Sequence, residues 1–108
     1  MPKGILFVQS NPASPDREDE FNAWYSGVHI PEVCDVPGVT GASRYKVSDA
    51  SPGGPGDNAY SAVYELEADD LSAVLGEIAS RAMDGRMHIS DAMAMDPPPS
   101  MVIYEIMD

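Results

Sequence analysis

Hydrophobic and polar positions along the 108-residue chain follow two periods, one near two residues and one between three and four. Four stretches rich in β-forming residues are predicted strands: residues 3–9, 39–47, 58–67 and 101–107. The second and third alternate between two faces, whereas the first and fourth are apolar on both. Two stretches with helical spacing separate them, so the predicted order of elements is β-α-β-β-α-β.

The first predicted helix begins after Ser14 and runs from Pro15 to about Gly27. A serine side chain can cap free backbone amides, and proline suits the first helical position. The acidic residues that follow place negative charge at the positive end of the helix dipole. Its apolar stripe has the spacing i, i+3, i+4, i+7 and consists of Phe21, Trp24, Tyr25 and Val28.

His29 follows this stripe, four residues beyond Tyr25. A helix that continues or re-forms here places His29 one turn further along the same side. Pro31 predicts a break, followed by a short helical turn that ends near Cys34. The sequence Val36-Pro37-Gly38-Val39 predicts a turn into the second strand.

The second predicted helix starts at Asp69 or Asp70 and stops at Gly85. Its apolar positions keep helical spacing and are Leu71, Val74, Leu75, Ile78 and Ala82. Residues 49–57 are predicted to form a Gly/Pro-rich hairpin loop. Residues 85–100 contain several methionines and a run of three prolines, and no regular structure is predicted for them beyond a short turn that Ser90 could cap.

The predicted order is typical of the ferredoxin-like α+β arrangement, in which a four-stranded antiparallel sheet carries two helices on one face. A chain of this length makes one domain, residues 1–108. Two helices leave the second face of the sheet uncovered, although its first and fourth strands are apolar on both sides. We therefore expect a homodimer in which a second copy covers that face.

Composition restricts the partners. The formal net charge is −12, from 18 acidic and 6 basic residues, which argues against a nucleic-acid partner and against anionic lipid. No apolar run approaches the roughly 18 to 20 residues of a membrane span, and no signal-peptide pattern is present, so a soluble cytoplasmic protein is expected. Cys34 is the single cysteine and is expected to be a small buried residue.

Several motifs of the first half resemble the dimeric α+β barrel superfamily in its EthD-like branch. They are Glu20-Phe21-Asn22-Ala23-Trp24-Tyr25, His29-Ile30-Pro31, the Val36–Val39 turn and Arg44-Tyr45. The resemblance implies a pocket in each subunit between sheet and helices, often containing a His or a Tyr. Related barrels include polyketide cyclases, cofactor-free quinol monooxygenases, lactone isomerases and haem-binding enzymes, so the resemblance is specific for fold and not for reaction.

His29 is the first candidate for proton transfer, because imidazole titrates near neutrality. Tyr64, and after it Tyr60, is the candidate donor to a substrate oxyanion. Further pocket residues are expected from the helix, the strands and the long segment before the last strand: Trp24, Tyr25, Tyr45, Tyr104 and His88. The alternative is structural, with His29 capping a helix end and the tyrosines stabilising the sheet.

The leading hypothesis is a cofactor-independent acid/base enzyme of the cyclase, dehydratase or isomerase type, acting on a small hydrophobic carbonyl or aromatic compound. No cofactor and no metal is expected; a metal held by His29 with Glu32 or with His88 is less favoured, because these residues lack a recognised ligand spacing. The first alternative is a non-catalytic, small-ligand-binding or stress-related barrel protein. The further alternative is a cofactor-free monooxygenase or a haem-binding barrel with His29 or His88 as axial ligand.

Overall fold

The structure, a computed structural model, describes residues 2–53 and 58–107 and contains a four-stranded sheet in the order β2-β3-β1-β4. The strands are β1 Lys3–Ser10, β2 Val39–Lys46, β3 Tyr60–Glu67 and β4 Ser100–Glu105. Every neighbouring pair is antiparallel. The predicted ferredoxin-like α+β fold is confirmed. Of the predicted hairpin loop, residues 54–57 lie outside the described residues.

The connection from β1 to β2 is one helical run whose pitch changes in the middle. A 3₁₀ turn, Pro15–Arg17, leads into α1, Glu18–Trp24, then a π-helical turn, Tyr25–His29, and then α2, Ile30–Cys34. The amide of Ile30 bonds to the carbonyl of Tyr25, five residues back. The helical run does not break at Pro31, so that prediction is wrong. The widened π-helical turn lies just before Pro31 and makes room for its ring, which in a regular α-helix would clash with the carbonyl one turn earlier.

The two predicted helix caps differ in outcome. Ser14 has the extended backbone of a capping residue, but its hydroxyl donates to the Asp16 carboxylate at 2.6 Å and makes no hydrogen bond to a backbone amide. Asp70 accepts a hydrogen bond from the Ser72 amide at 3.0 Å and caps α3, Leu71–Met83. Cys34 is exposed and not buried as predicted, because Val33 and Val36 occupy the core positions beside it.

The core lies between the helices and the inner face of the sheet. That face carries Leu6 and Val8 of β1 opposite Tyr64 and Ala62 of β3, all buried. The helical run and α3 supply the other half of this core with Phe21, Tyr25, Val33, Leu71, Val74 and Ile78. No helix in the described ranges is long and apolar enough to cross a bilayer.

The outer face of the sheet carries Tyr45 and Tyr104, which are 56% and 53% exposed. Tyr45 pairs with Ser61 and Tyr104 pairs with Ile5, on the side opposite to Tyr64. The prediction that both tyrosines face the helices is wrong. The register places Ala42 and Arg44 of β2 on the inner face, although Arg44 is charged.

Residues 84–99, which we call the strap, run from α3 to β4 along the end of the helical layer. The strap is joined to the segment after β1 by backbone hydrogen bonds from Ala13 to Ala92 and from Ala94 to Asn11. Arg17 adds an ion pair to Asp91 at 2.6 Å. Met87, Ala92 and Met93 are buried, so the strap is part of the fold.

Candidate functional site

An apolar cavity of about 340 Å³ lies between the inner face of the sheet and the helices. Small-molecule pockets range from about 300 to 1,000 Å³, so this one suits a small ligand. Leu6, Val8 and Tyr64 form its floor, and Tyr25, His29 and Val33 form one wall. The opposite wall comes from α3, with Leu75, Ile78, Ala79 and Ala82.

Methionines supply much of the remaining wall. Five of the seven in the chain line the cavity, and they are Met83, Met87, Met93, Met95 and Met101. Three of them belong to the strap, for which no structural role was predicted. Methionine is unbranched and polarisable, so such a wall can adapt to ligands of different shape. The clustering of methionines between residues 83 and 101 is the sequence signal for it.

The imidazole of His29 reaches the cavity from the π-helical turn. It stacks on the indole of Trp24, with ring centroids 4.8 Å apart and planes 25° apart, and meets the Tyr25 ring edge-on at 4.8 Å. Burial lowers its pKa to about 4, while Glu32 opposes this shift and the positive charge of Arg44 adds to it. His29 is therefore neutral at pH 7. Its Nδ1 atom is buried and has no hydrogen-bond partner among the described residues.

Two buried tyrosine hydroxyls form the second polar group of the cavity. The hydroxyl of Tyr64 donates to that of Tyr25 across 3.3 Å, and Ser10 also hydrogen-bonds to Tyr25. Burial raises the pKa of both tyrosines. Both hydroxyls therefore keep their protons at neutral pH. Tyr25 was expected only as a wall of the pocket, and its pairing with Tyr64 gives it a polar role.

Arg44 lies behind this pair and was not among the site residues predicted from the sequence. Its guanidinium carbon is 4.4 Å from the centroid of the Tyr25 ring. The side chain hydrogen-bonds to Asn22 and Ser26 at 3.0 Å, and burial lowers its pKa. None of the ion pairs found in the described parts of the chain involves Arg44. An arginine at an alternating strand position, in a chain with only six cationic residues, is the signal that could have identified it.

Other predicted site residues lie away from the cavity. The Tyr60 hydroxyl donates to Glu18 at 2.8 Å and accepts from Asn22 at 3.2 Å, so it ties β3 to α1. The side chain of His88 is 79% exposed, and its Nδ1 lies 2.7 Å from a carboxylate oxygen of Glu32. Trp24 supports His29 from behind without itself lining the cavity.

The structure thus brings together three of the predicted residues, His29, Tyr64 and Tyr25, at one cavity. Tyr60, Trp24 and His88 do not line the cavity, although Trp24 stacks on His29, and Tyr45 and Tyr104 lie on the other face of the sheet. Within residues 2–53 and 58–107, no three His, Cys, Asp or Glu side chains are grouped so that they could hold a metal ion.

Comparison with known proteins supports the fold. No family model matches the sequence, and no curated protein is significantly similar to it. The crystal structure of an ethyl tert-butyl ether D (EthD) family protein from Bacillus halodurans C-125 superimposes with a TM-score of 0.62. It is 16% identical in sequence, and the match covers 99% of this chain and 100% of that one. The EthD-like resemblance is thereby confirmed at the level of the fold.

Proposed function

We propose that this protein is a cofactor-independent acid/base enzyme acting on a small hydrophobic carbonyl or aromatic compound. The observation that carries the proposal is a neutral imidazole with a buried, unpartnered Nδ1, placed with two tyrosine hydroxyls at an apolar cavity. A buried polar atom without a partner costs about 1–3 kcal/mol, so folding alone does not account for the position of this imidazole. The cavity therefore favours ligands with one polar group on an apolar body.

His29 is the proton acceptor in this proposal. Because its pKa is lowered to about 4, the imidazole is fully available as a base at pH 7 but is a weak one. A weak base requires a proton that is already acidic, as on a carbon between a carbonyl and a second unsaturated group. This requirement points to cyclisation, dehydration or isomerisation through an enol.

Tyr25 stabilises the enolate oxygen, and Tyr64 supports it by donating to the Tyr25 hydroxyl. Because Tyr64 donates to Tyr25, the proton of the Tyr25 hydroxyl is available to an oxygen in the cavity. Both phenols resist ionisation, so they act as hydrogen-bond donors and not as bases. Donors in a site without water stabilise a developing negative charge more strongly than donors in water do.

The test uses 2-tetralone, a flat ketone whose C1 protons are acidified by both the carbonyl and the ring. In D₂O the protein should accelerate exchange of these protons, followed by NMR. We expect His29→Ala to lower the enzymatic rate by about 10²- to 10⁴-fold and Tyr64→Phe by about 10²-fold. Tyr45→Phe removes a hydroxyl from the outer face and should leave the rate unchanged.

A non-catalytic ligand-binding protein is the second candidate, favoured by the adaptable methionine wall. N-phenyl-1-naphthylamine, a neutral fluorescent probe, separates the two. Saturable binding of the probe together with wild-type exchange no faster than that of His29→Ala would support the ligand-binding candidate against the enzyme. Absence of both binding and exchange would contradict both candidates.

The proposed functional unit is a homodimer. Its interface is the outer face of the sheet, where Phe7 and Tyr104 pack edge to face with ring centroids 6.4 Å apart and Val102 is 41% exposed. The cavity lies on the other face, so each subunit keeps its own site.

A further inference from the structure

His88 is the point at which the strap is fastened to the helical run. Its backbone amide donates to one carboxylate oxygen of Glu32 at 2.8 Å, and its ring Nδ1 lies 2.7 Å from the other. Its carbonyl accepts a hydrogen bond from the indole nitrogen of Trp24 at 2.6 Å. One strap residue is thus held by two side chains from two different helical segments.

The residues on either side of His88 face the cavity. Met87 is buried and Ile89 is 43% exposed, and both line the cavity. The position of this wall therefore depends on the contacts of His88, because those contacts fix the backbone between Met87 and Ile89. In its middle, at Asp91, Ala92 and Ala94, the strap is held by Arg17 and by the backbone hydrogen bonds to the segment after β1.

Trp24 connects the fastening to the imidazole. Its nitrogen bonds to the strap, while its ring face stacks on His29 at 4.8 Å. A rotation of the indole would break the hydrogen bond or the stacking. The strap and the orientation of His29 are therefore coupled through one rigid side chain.

We propose that Glu32 is a positioning residue of the cavity: by fastening His88 it holds the strap wall in place and, through Trp24, keeps the His29 imidazole oriented and shielded from water. Glu32 is not in contact with the ligand in this proposal. The inference rests on the proposed function and extends it, because the strap sets both the size of the ligand that the cavity accepts and the environment of His29.

Loss of the Glu32 charge and loss of the Glu32 hydrogen bonds should shift the pKa of His29 in opposite directions, and this difference allows a test. Glu32 from α2 raises the pKa of His29 and Arg44 from β2 lowers it, but burial is the largest influence. Glu32→Gln removes the charge and keeps the fastening, since an amide offers one acceptor to the His88 amide and one donor to its ring. Glu32→Ala removes both the charge and the hydrogen bonds to His88. Water then reaches the imidazole, and the resulting rise in the pKa of His29 exceeds the fall caused by the lost charge.

The experiment measures two quantities for each variant: the titration midpoint of His29, by NMR of the imidazole, and the affinity for N-phenyl-1-naphthylamine. We expect Glu32→Ala to raise the midpoint by about one pH unit and to weaken probe binding about tenfold. Glu32→Gln should leave the affinity near wild type, with a midpoint equal to or below the wild-type value. Trp24→Phe keeps an aromatic ring beside His29 but loses the hydrogen bond to the strap, and it should fall between the two.

Asp19→Ala, which removes an exposed carboxylate from α1, is the matched control and should change neither quantity. Circular dichroism verifies that each variant is folded. The inference is overturned if Glu32→Ala changes neither quantity, or if Glu32→Gln behaves like Glu32→Ala. If wild type neither binds the probe nor accelerates proton exchange, the proposed function fails, and the midpoints alone still decide the role of Glu32.

Discussion

At the scale of single residues, His29 combines two properties that folding alone does not require. Its Nδ1 is buried without a partner, and its ring is held between Trp24 and Tyr25. Keeping this imidazole neutral has a thermodynamic consequence. In the unfolded chain His29 binds a proton below about pH 6.5, whereas in the folded chain it does so only below about pH 4.

Stability should therefore depend on pH through His29. The folded-state pKa lies below the unfolded value, so the contribution is complete above about pH 6.5 and is lost as the pH falls toward 4. Between pH 7 and pH 5 the free energy of unfolding should fall by about 2 kcal/mol more in the wild type than in His29→Asn. Urea unfolding of both proteins at the two pH values measures the difference, and equal losses would show that His29 is not buried as a neutral base.

At the scale of elements, the π-helical turn and the Pro37-Gly38 turn position the site. The π-helical turn begins at Tyr25 and ends at His29, so these two cavity residues belong to one widened turn. π-helical turns inside α-helices occur frequently at functional sites. The Pro37-Gly38 turn then returns the chain to the sheet through a hydrogen bond from the Val39 amide to the Val36 carbonyl.

Gly38 should be indispensable to this turn. Its φ is +98°, and a Cβ there would lie 2.7 Å from a methyl carbon of Val74 in α3. Gly38→Ala should therefore lower the free energy of unfolding by about 2 kcal/mol. Gly76→Ala in α3 is the matched control: a Cβ meets no atom within 4 Å, and the variant should be more stable by about 0.5–1 kcal/mol. Urea unfolding measures both, and equal effects would contradict the strain assigned to Gly38.

At the scale of the whole molecule, the two faces of the sheet have different environments. The inner face meets the helices, whereas the outer face presents Phe7, Val102 and Tyr104 side by side on β1 and β4. An exposed apolar surface of this kind commonly marks an interface.

A charge on the outer face should disrupt the proposed homodimer. Val102→Glu places a carboxylate at a 41% exposed valine next to Phe7, and we expect it to shift the protein from dimer to monomer in sedimentation equilibrium. Val28→Glu is the matched control, because Val28 is 38% exposed on the helical run. A monomeric wild type at 100 μM, or a variant that remains dimeric, would contradict this interface.

The sequence by itself determined the order of the elements, a helix cap at Asp69 or Asp70, of which the structure selects Asp70, and the turn at Gly38. These features depend on local periodicity and on the backbone preferences of a few residues, which neighbouring positions encode directly. The grouping of Ala62, Tyr64 and Leu66 on one face of the third strand belongs to the same class, since alternation in a strand is local. His29 and Tyr64 could be singled out because their chemistry is visible in their residue type.

Only the tertiary structure decided which residues meet. Tyr25 and Tyr64 are 39 positions apart, and their hydroxyls come together through the packing of the helical run on β3. The register of β2 decided that Arg44 faces inward and Tyr45 outward, because a strand with polar residues on both faces does not reveal which one is buried. The strap has no period at all, so its role as a cavity wall follows from long-range contacts alone.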